Sequence, residues 1–352
     1  MKNGLMYYLS KGGVWKNIGD YIQSIAANQF MHTSELIERE TLNVYHGEKM
    51  RVIVNGWFMH YPKNFPPSDD IVPLFVSFHI RPKVARRLLT EQTVAYLKRY
   101  EPIGCRDENT VRILEEAGVK AYFSNCLTLT LGRSYKRHPD AESGPVCIVD
   151  PLQPLNRRCC IKALPTMLRH LFLAIGIYRK MCRQALYKAG LWPRVKAFLA
   201  MGAFIRVYST LFDLSVLKNA DYYTHSVREK IFSSEKDKFD YSHKMLETYA
   251  GARFCVTSRI HCALPCVAMG TPVVFIDSSI KNFGKGRFGG VTDLFNLAVT
   301  DGRRLEAHFK FSTSNPHGLI DMETRLPTTD KHLKYVKELS EKCTEFAQHG
   351  GE

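Results

Sequence analysis

In the stretch "FCVTSRIHCALPCVAMGTPVVFID", residues 254–277, a guanidinium and an imidazole stand two positions apart inside an almost wholly apolar run. Arg259 can hold an anion, and His261 can move a proton near neutral pH. Ser258 precedes them. Desolvating such groups without a use costs stability. The structural alternative is an arginine bridging to a distant acid beside a buried histidine. Polar residues close the other apolar runs in the same way: Asn17-Ile18-Gly19-Asp20, Asn55-Gly56-Trp57, Ser77 with His79, Arg106-Asp107, Ser124-Asn125, Asp150, His225-Ser226 and Asp277-Ser278. Asn, Asp, Arg and His gathered at such ends suit anion or sugar binding together with acid–base chemistry.

Each of these groups has a structural reading beside the functional one. Asn17 to Asp20 can cap a helix after a tight turn, or join Gly12-Gly13 in a phosphate- or sugar-binding loop. The loop is not the G-x-G-x-x-G fingerprint of dinucleotide sites. Arg106 and Asp107 can form an ion pair or an anion site. His79 reads as a satisfied strand-end histidine or a catalytic group, and Trp57 and Phe58 as core or as a platform for a sugar face.

The elements that would position these residues alternate between β and α patterns. "GLMYYLS" (4–10) reads as a first strand, followed by the helical "YIQSIAANQFM". Then come "MRVIVNG" (50–56), "PLFVSFH" (73–79), helix "EQTVAYLKRY" (91–100), "PIGC" (102–105), helix "ENTVRILEEAG" (108–118) and "KAYFSN" (120–125). Asp107 and Gly118 are the expected caps of the helix between them. Such alternation predicts a parallel sheet covered by helices.

A polar loop at 132–145 precedes a second series: "VCIVD" (146–150), "ADYYTHS" (220–226), a helix near 240–251, "ARFCVTS" (252–258) and "TPVVFID" (271–277). The opening stretch divides into strand, loop "SRIH", helix "CALPCVAMG" closed by Gly270, and strand. The α/β chain therefore reads as two Rossmann-like domains, 1–140 and 141–325, with a basic helical insertion about 157–218 and a C-terminal helical segment 326–352. In open parallel sheets ligands bind at the carboxyl ends of strands. Two such edges facing each other would make an inter-domain cleft.

Formal net charge is +15, and it is unevenly placed. From Arg157 to Lys218 there are twelve Lys or Arg against one acid, Asp213. "TMLRHLFLAIGIYRKMC" and "RVKAFLAMGAFIRVYSTLF" mix these cations with Phe, Leu and Ile, as helices lying on an anionic lipid surface do. Ordinary packed helices are the alternative. No nucleic-acid-binding motif accompanies the charge, so nucleic acid is not expected as a partner. Ten cysteines show no C-x-x-C pair, and Cys105, Cys126, Cys147 and Cys255 sit in apolar strand-like runs, which points to a reducing compartment. The N-terminal apolar run is too short for a signal peptide, and no segment reaches the ~20 apolar residues of a span. A cytoplasmic protein, peripheral at the inner face of the membrane, is expected.

Three segments carry a resemblance. "VTSRIHCALPCVAMGTPVVFI", "NIGDYIQSIAA" with its Asn-x-Gly-Asp pattern, and "GCRDENTVRILEEAGVKAYFSN" with its Arg-Asp pair are similar to the signature segments of the polysaccharide pyruvyl transferase family. They are spread over roughly residues 10–300. Many members carry Asp-Pro where this chain has Ser124-Asn125-Cys126, and the basic insertion is not general to the family.

The resemblance implies a GT-B-like arrangement of the two domains. It also implies transfer of the enolpyruvyl unit of phosphoenolpyruvate to a sugar as a ketal, in surface or capsular polysaccharide biosynthesis. The acceptor would be a glycan, lipid-linked in view of the basic segment. Arg259 and Arg106 would clamp the donor's carboxylate and phosphate, His261 would act as general acid or base, and Asp20 would orient or deprotonate an acceptor hydroxyl. Asn17, Gly19, Asn55, His79, Asn125, Ser258 and Arg287 complete the substrate-binding candidates. No metal-ligand cluster is apparent, so a reaction without metal or cofactor is expected. A GT-B glycosyltransferase using a nucleotide sugar and a non-catalytic membrane-surface protein are the competing functions.

Overall fold

The computed structural model describes residues 1–8, 15–155, 163–183, 191–278 and 289–349. The Gly12-Gly13 loop, the basic residues Arg157, Arg158, Lys162 and Lys188, and Arg287 lie outside the described residues.

The first half runs β1 (Lys2–Tyr7), β2 (Trp15–Asn17), α1 (Ile18–Met31), β3 (Leu36–Glu38), a 3-10 helix (Arg39–Val44), β4 (Met50–Phe58), β5 (Ile71–Ile80), α2 (Pro82–Leu88), α3 (Glu91–Lys98), β6 (Ile103–Cys105), α4 (Glu108–Glu116), β7 (Ala121–Phe123) and a 3-10 helix (Leu127–Arg133). The second runs β8 (Val146–Val149), α5 (Leu164–Arg169), α6 (Leu171–Arg183), α7 (Leu191–Tyr208), α8 (Leu214–Asn219), β9 (Asp221–Tyr223), β10 (Ser226–Arg228), α9 (Glu235–Ala250), β11 (Phe254–Thr257), α10 (Ile260–Met269), β12 (Val273–Asp277), β13 (Asn296–Thr300), β14 (Leu305–Ala307) and α11 (Leu333–His349).

Two six-stranded sheets result. The first has the order β3-β1-β4-β5-β6-β7 and is parallel throughout. The second has the order β14-β13-β12-β11-β8-β9, and only β14 is antiparallel to its neighbour. The mixed α/β class with parallel sheets is thus the one the alternating pattern predicted. A third pairing was not visible in the sequence: β2 and β10 form an antiparallel ribbon that joins the two halves, with Asn17 opposite Ser226.

The two-residue period of a strand sorts the second sheet's side chains between two cores. Val146, Ile148, Phe254, Val256, Val274 and Ile276 turn toward α5–α8. Cys147, Val149, Cys255, Val273 and Phe275 turn the other way, into a core shared with Ile18, Ile22, Ile25 and Phe30 of α1 and with Ile53 and Val76 of the first sheet. Each such aliphatic side chain contributes about 1.5–3 kcal/mol on burial. The helices α1, α9, α10 and the second 3-10 helix therefore fill the space between the sheets, and one core runs through both halves. The segment after residue 135 takes part, with Tyr135 in that core and Ala141 buried. Helix α11 returns to the first half: Leu339 and Cys343 enter the shared core, and Arg51 Nη1 donates to the Ala347 carbonyl at 3.0 Å.

Among the described residues no helix is long and apolar enough to cross a membrane. Much of α7 is ordinary core: Met201, Ala203, Phe204, Ile205, Val207 and Tyr208 are buried. The outer face of α5–α7 is different, with Leu168 62% and Phe172 90% exposed.

Candidate functional site

Asn17 ends β2 and caps α1. Its Oδ1 accepts from the Gly19 amide at 3.2 Å, and its Nδ2 donates to Asp20 Oδ1 at 3.0 Å. The Ile18 amide donates to the carbonyl of His225, at 2.8 Å, so the first turn of α1 is tied to the second half. That turn meets His261. A Cβ on Gly19 would lie 2.8 Å from His261 Nδ1 and 3.0 Å from its Cβ, so glycine here lets the imidazole sit directly against the turn. Asn17, Gly19, Asp20 and His261, taken from segments more than 200 positions apart, therefore share one place.

His261 is 7% exposed and sits in the first turn of α10, one residue past the helix start rather than in a preceding loop. Arg259 is the N-cap but makes no side-chain cap bond, which explains why the sequence places the helix start too late. Pro265 inside α10 has no N–H for the His261 carbonyl four residues earlier. Gly270 ends the helix in the left-handed region, at φ 83°, as expected.

Asp20 is half-buried. Burial pushes its carboxyl above the ordinary carboxylate value, against the pull of the Arg39, Arg106 and Arg259 charges and the Asn17 hydrogen bond. A carboxyl so raised among three guanidinium groups is suited to exchange a proton with a bound ligand.

Arg106 stands at the carboxyl end of β6 and is 1% exposed. Its Nε and Nη2 have no hydrogen-bond partner among the described residues. Its Nη2 lies 3.8 Å from Asp107 Oδ2, too far for a hydrogen bond, and Asp107 is otherwise engaged. Asp107 caps α4 by accepting from the Thr110 amide at 3.0 Å, and its Oδ2 is 2.6 Å from His79 Nδ1. Burial raises the Asp107 carboxyl, but the His79 hydrogen bond and charge, Arg106 and the Thr110 amide outweigh it and hold the group below its ordinary value. His79, expected at a strand end, lies one residue inside β5 and is held by Asp107.

The neighbouring strands deliver further buried donors. Ser77 adopts φ 57°, opposite a register shift between Val54 and Gly56 on β4, and bulges of this kind re-aim side chains. Ser77 Oγ has no hydrogen-bond partner among the described residues. Asn125, at φ 62° after β7, accepts from the Cys126 amide through Oδ1 at 2.8 Å, while its Nδ2 has no partner there. Asn55, within β4, donates to the Gln23 carbonyl at 3.0 Å. Trp57 lies between two guanidinium groups, with Arg39 5.0 Å and Arg81 4.7 Å from its ring centre, while Phe58 is core.

Arg259 does bridge to a distant acid: its Nε is 2.5 Å from Oδ2 of Asp150, at the carboxyl end of β8. Its side chain is nevertheless 29% exposed. Ser258, in the turn between β11 and α10, donates to Gln153 Oε1 at 3.3 Å and so ties that turn to the loop after β8.

A family model for polysaccharide pyruvyl transferases matches residues 17–280, a span that opens at Asn17 and takes in Arg106, Arg259 and His261. The chain belongs to the polysaccharide pyruvyl transferase family. No curated protein and no solved structure matches it. In this pyruvyl transferase family member several groups at the site escape sequence reasoning. Arg39 is 1% exposed because Glu40 Oε1 accepts from its Nε and Nη2, at 2.9 and 2.7 Å, and it lies 4.9 Å from the Tyr8 ring. "ERETLN" reads as a polar surface turn and gives no signal of this. Gln23 reaches Asp20 Oδ1 at 3.4 Å from the next turn of α1, a position that helical spacing could have flagged.

Proposed function

We propose that this protein transfers the enolpyruvyl group of phosphoenolpyruvate to two hydroxyls of one sugar in an oligosaccharide or polysaccharide precursor, forming a pyruvate ketal. The supporting observation is the set of buried groups with unused donors, Arg106 Nε and Nη2, Ser77 Oγ and Asn125 Nδ2, with the Arg106 charge acting on Asp20 and the turn that carries Asp20 packed against His261. Buried donors without partners call for a ligand that accepts. A donor substrate bearing a phosphate and a carboxylate is such a ligand, and arginine forks match both groups.

In the reaction a proton adds to the methylene carbon of phosphoenolpyruvate while a sugar hydroxyl bonds to C2. The C2–O bond to phosphate then breaks, and the second hydroxyl closes the ketal at C2. Of the two hydroxyl protons lost, one is balanced by the new methyl hydrogen and the other leaves with phosphate. His261 is the general acid or base, Asp20 orients or deprotonates a hydroxyl, and Arg106 with Arg259 stabilises the departing phosphate. The two Rossmann-like halves would act in a GT-B-like way, with the substrates between their carboxyl edges. Phosphoenolpyruvate is the donor substrate, and no cofactor takes part in the steps above.

The acceptor is proposed to be lipid-linked, and the protein to work in the cytoplasm at the inner membrane face. Leu164, Leu168, Phe172 and Leu199 are exposed on α5–α7, among the exposed Arg169, Arg179, Arg183 and Lys196. This pairing of apolar side chains with cations suits an anionic lipid surface.

Incubation with phosphoenolpyruvate and isolated lipid-linked glycan in D2O tests the reading. Inorganic phosphate and a ketal whose methyl carries one deuterium are expected, both lost in His261→Ala. Release of nucleotide from a sugar nucleotide, with no phosphate from phosphoenolpyruvate, would instead establish glycosyl transfer. Full turnover by His261→Ala would remove the proposed mechanism.

A further inference from the structure

Four buried cysteines gather behind the catalytic turn. Cys147 and Cys255 are register partners on the adjacent strands β8 and β11, and both face the shared core. Cys262 and Cys266 lie one turn apart on α10 and so share a helix face. All four are fully buried, at 0% exposure. The Sγ atoms of Cys255, Cys262 and Cys266 lie within 4.8 Å of one another, and Cys147 stands beside Cys255 on the neighbouring strand. One strand and one helix thus bring three sulfurs together, with Cys147 on the adjacent strand, whereas Cys105 and Cys126 bond elsewhere, to the Ile103 carbonyl and Thr128.

We propose that Cys255, Cys262 and Cys266 bind one thiophilic closed-shell cation, zinc(II) or copper(I), with Cys147 as the fourth thiol of the site. A donor set of sulfur alone, with no carboxylate, selects soft cations over magnesium, calcium or manganese. Zinc–sulfur bonds are about 2.3 Å, so three sulfurs at the corners of a 4.8 Å triangle need move inward by only about 0.5 Å each. A second layer is present as well. Tyr249 of α9 shares the core with Cys262, and its hydroxyl is 2.7 Å from Nε2 of the buried His225. A His225 N–H donating to the Tyr249 oxygen, with the Tyr249 hydroxyl donating to Cys262 sulfur, would orient the ligand in the manner of known second-layer contacts.

The role is positional. Cys262 follows His261 directly, and Cys255 lies on the strand that leads into Arg259. A cation joining them pins the first turn of α10 to β11, where Pro265 leaves the helix short of a backbone bond.

The full chain, purified under reducing conditions from zinc-supplemented and from copper-supplemented cultures, is analysed by elemental mass spectrometry after gel filtration. About one zinc or one copper per chain is expected, the two cultures distinguishing the cation. Cobalt(II) added to metal-stripped protein should give a sulfur-to-cobalt charge-transfer band. Cys266→Ala should weaken metal retention at least 10-fold, while Cys105→Ala, a buried thiol outside the cluster, should retain the metal fully. Less than about 0.1 metal per chain from both cultures, with no cobalt band in the folded wild type, overturns the proposal. Equal metal in Cys266→Ala overturns it too. The wild-type measurements decide the matter even if the variant fails to fold.

Discussion

Gly19→Ala is the sharpest probe of the site, because it adds one carbon beside His261 and removes nothing. The new Cβ would stand 2.8 Å from His261 Nδ1. Ordinary contacts between such atoms begin near 3.4 Å, so the imidazole must retreat by about 0.5 Å. Misplacement of a catalytic group by ~1 Å costs on the order of 10²-fold in rate. A fall in kcat of roughly 10- to 100-fold is expected.

Stability should change less. Overpacking costs about 1–3 kcal/mol, and alanine inside a helix recovers up to ~1 kcal/mol over glycine. At ~2–4 °C per kcal/mol for a chain of this size, Tm falls by a few degrees. Gly176→Ala in α6 is the matched control, since a Cβ there meets nothing within 4 Å. It should leave the rate unchanged and add about 0.5–1 kcal/mol. Phosphate release from phosphoenolpyruvate and calorimetric melting read both quantities. A Gly19→Ala protein with full kcat would refute the claim that His261 must sit against this turn to act.

Three further outcomes are expected. Arg106→Met should change the ligand-free Tm little, because the guanidinium it removes is buried with two unbonded nitrogens. It should abolish the Tm rise with phosphoenolpyruvate, which for wild type at a hundredfold excess over Kd corresponds to about 2.7 kcal/mol; a retained shift places the donor elsewhere. Asp107 is held below the ordinary carboxylate value of 3.8, so its contribution to stability is complete above that pH and is lost as pH falls through the lower folded-state value. Asp107→Asn should therefore flatten the acid limb of Tm against pH while lowering Tm at pH 7, and an unchanged acid limb would contradict the assignment. Phe172→Asp, at a side chain 90% exposed, should alter stability by less than ~0.5 kcal/mol yet weaken sedimentation with anionic vesicles on the order of 10-fold or more. Equal sedimentation of variant and wild type removes the lipid surface from the proposal.

Much of the parallel architecture was legible because β4, β5, β8, β11 and β12 are runs of β-branched and aromatic residues whose apolar character shows without their neighbours. The gathering of Asn17, Gly19, Asp20, Arg106, Arg259 and His261 toward one region was legible for a related reason, since strand ends share an edge. What stayed hidden depends on partners distant in the chain. The ribbon of β2 and β10 is three residues a side and contains Lys16, which has no strand signature until its Nζ reaches Glu229 at 3.2 Å. Arg39 reads as surface until Glu40 neutralises it. In the sulfur cluster only the C-x3-C pair Cys262 and Cys266 has the spacing of paired ligands; folding rather than sequence brings Cys255 and Cys147 to them. β13 and β14 escaped notice, and β14 is a short, exposed-edged strand with weak alternation.

The core shared by the two halves has a consequence for how the chain is made. Tyr21 of α1, itself fully buried, donates to Glu235 at 2.7 Å, 214 positions later. At ~5–20 residues per second of synthesis, the apolar face of α1 waits about 10–40 s for α9 to be made. During that interval Ile18, Ile22 and Ile25 have only half of their cover. The nascent protein should therefore depend on chaperones until its second half arrives, and the first half expressed alone should aggregate.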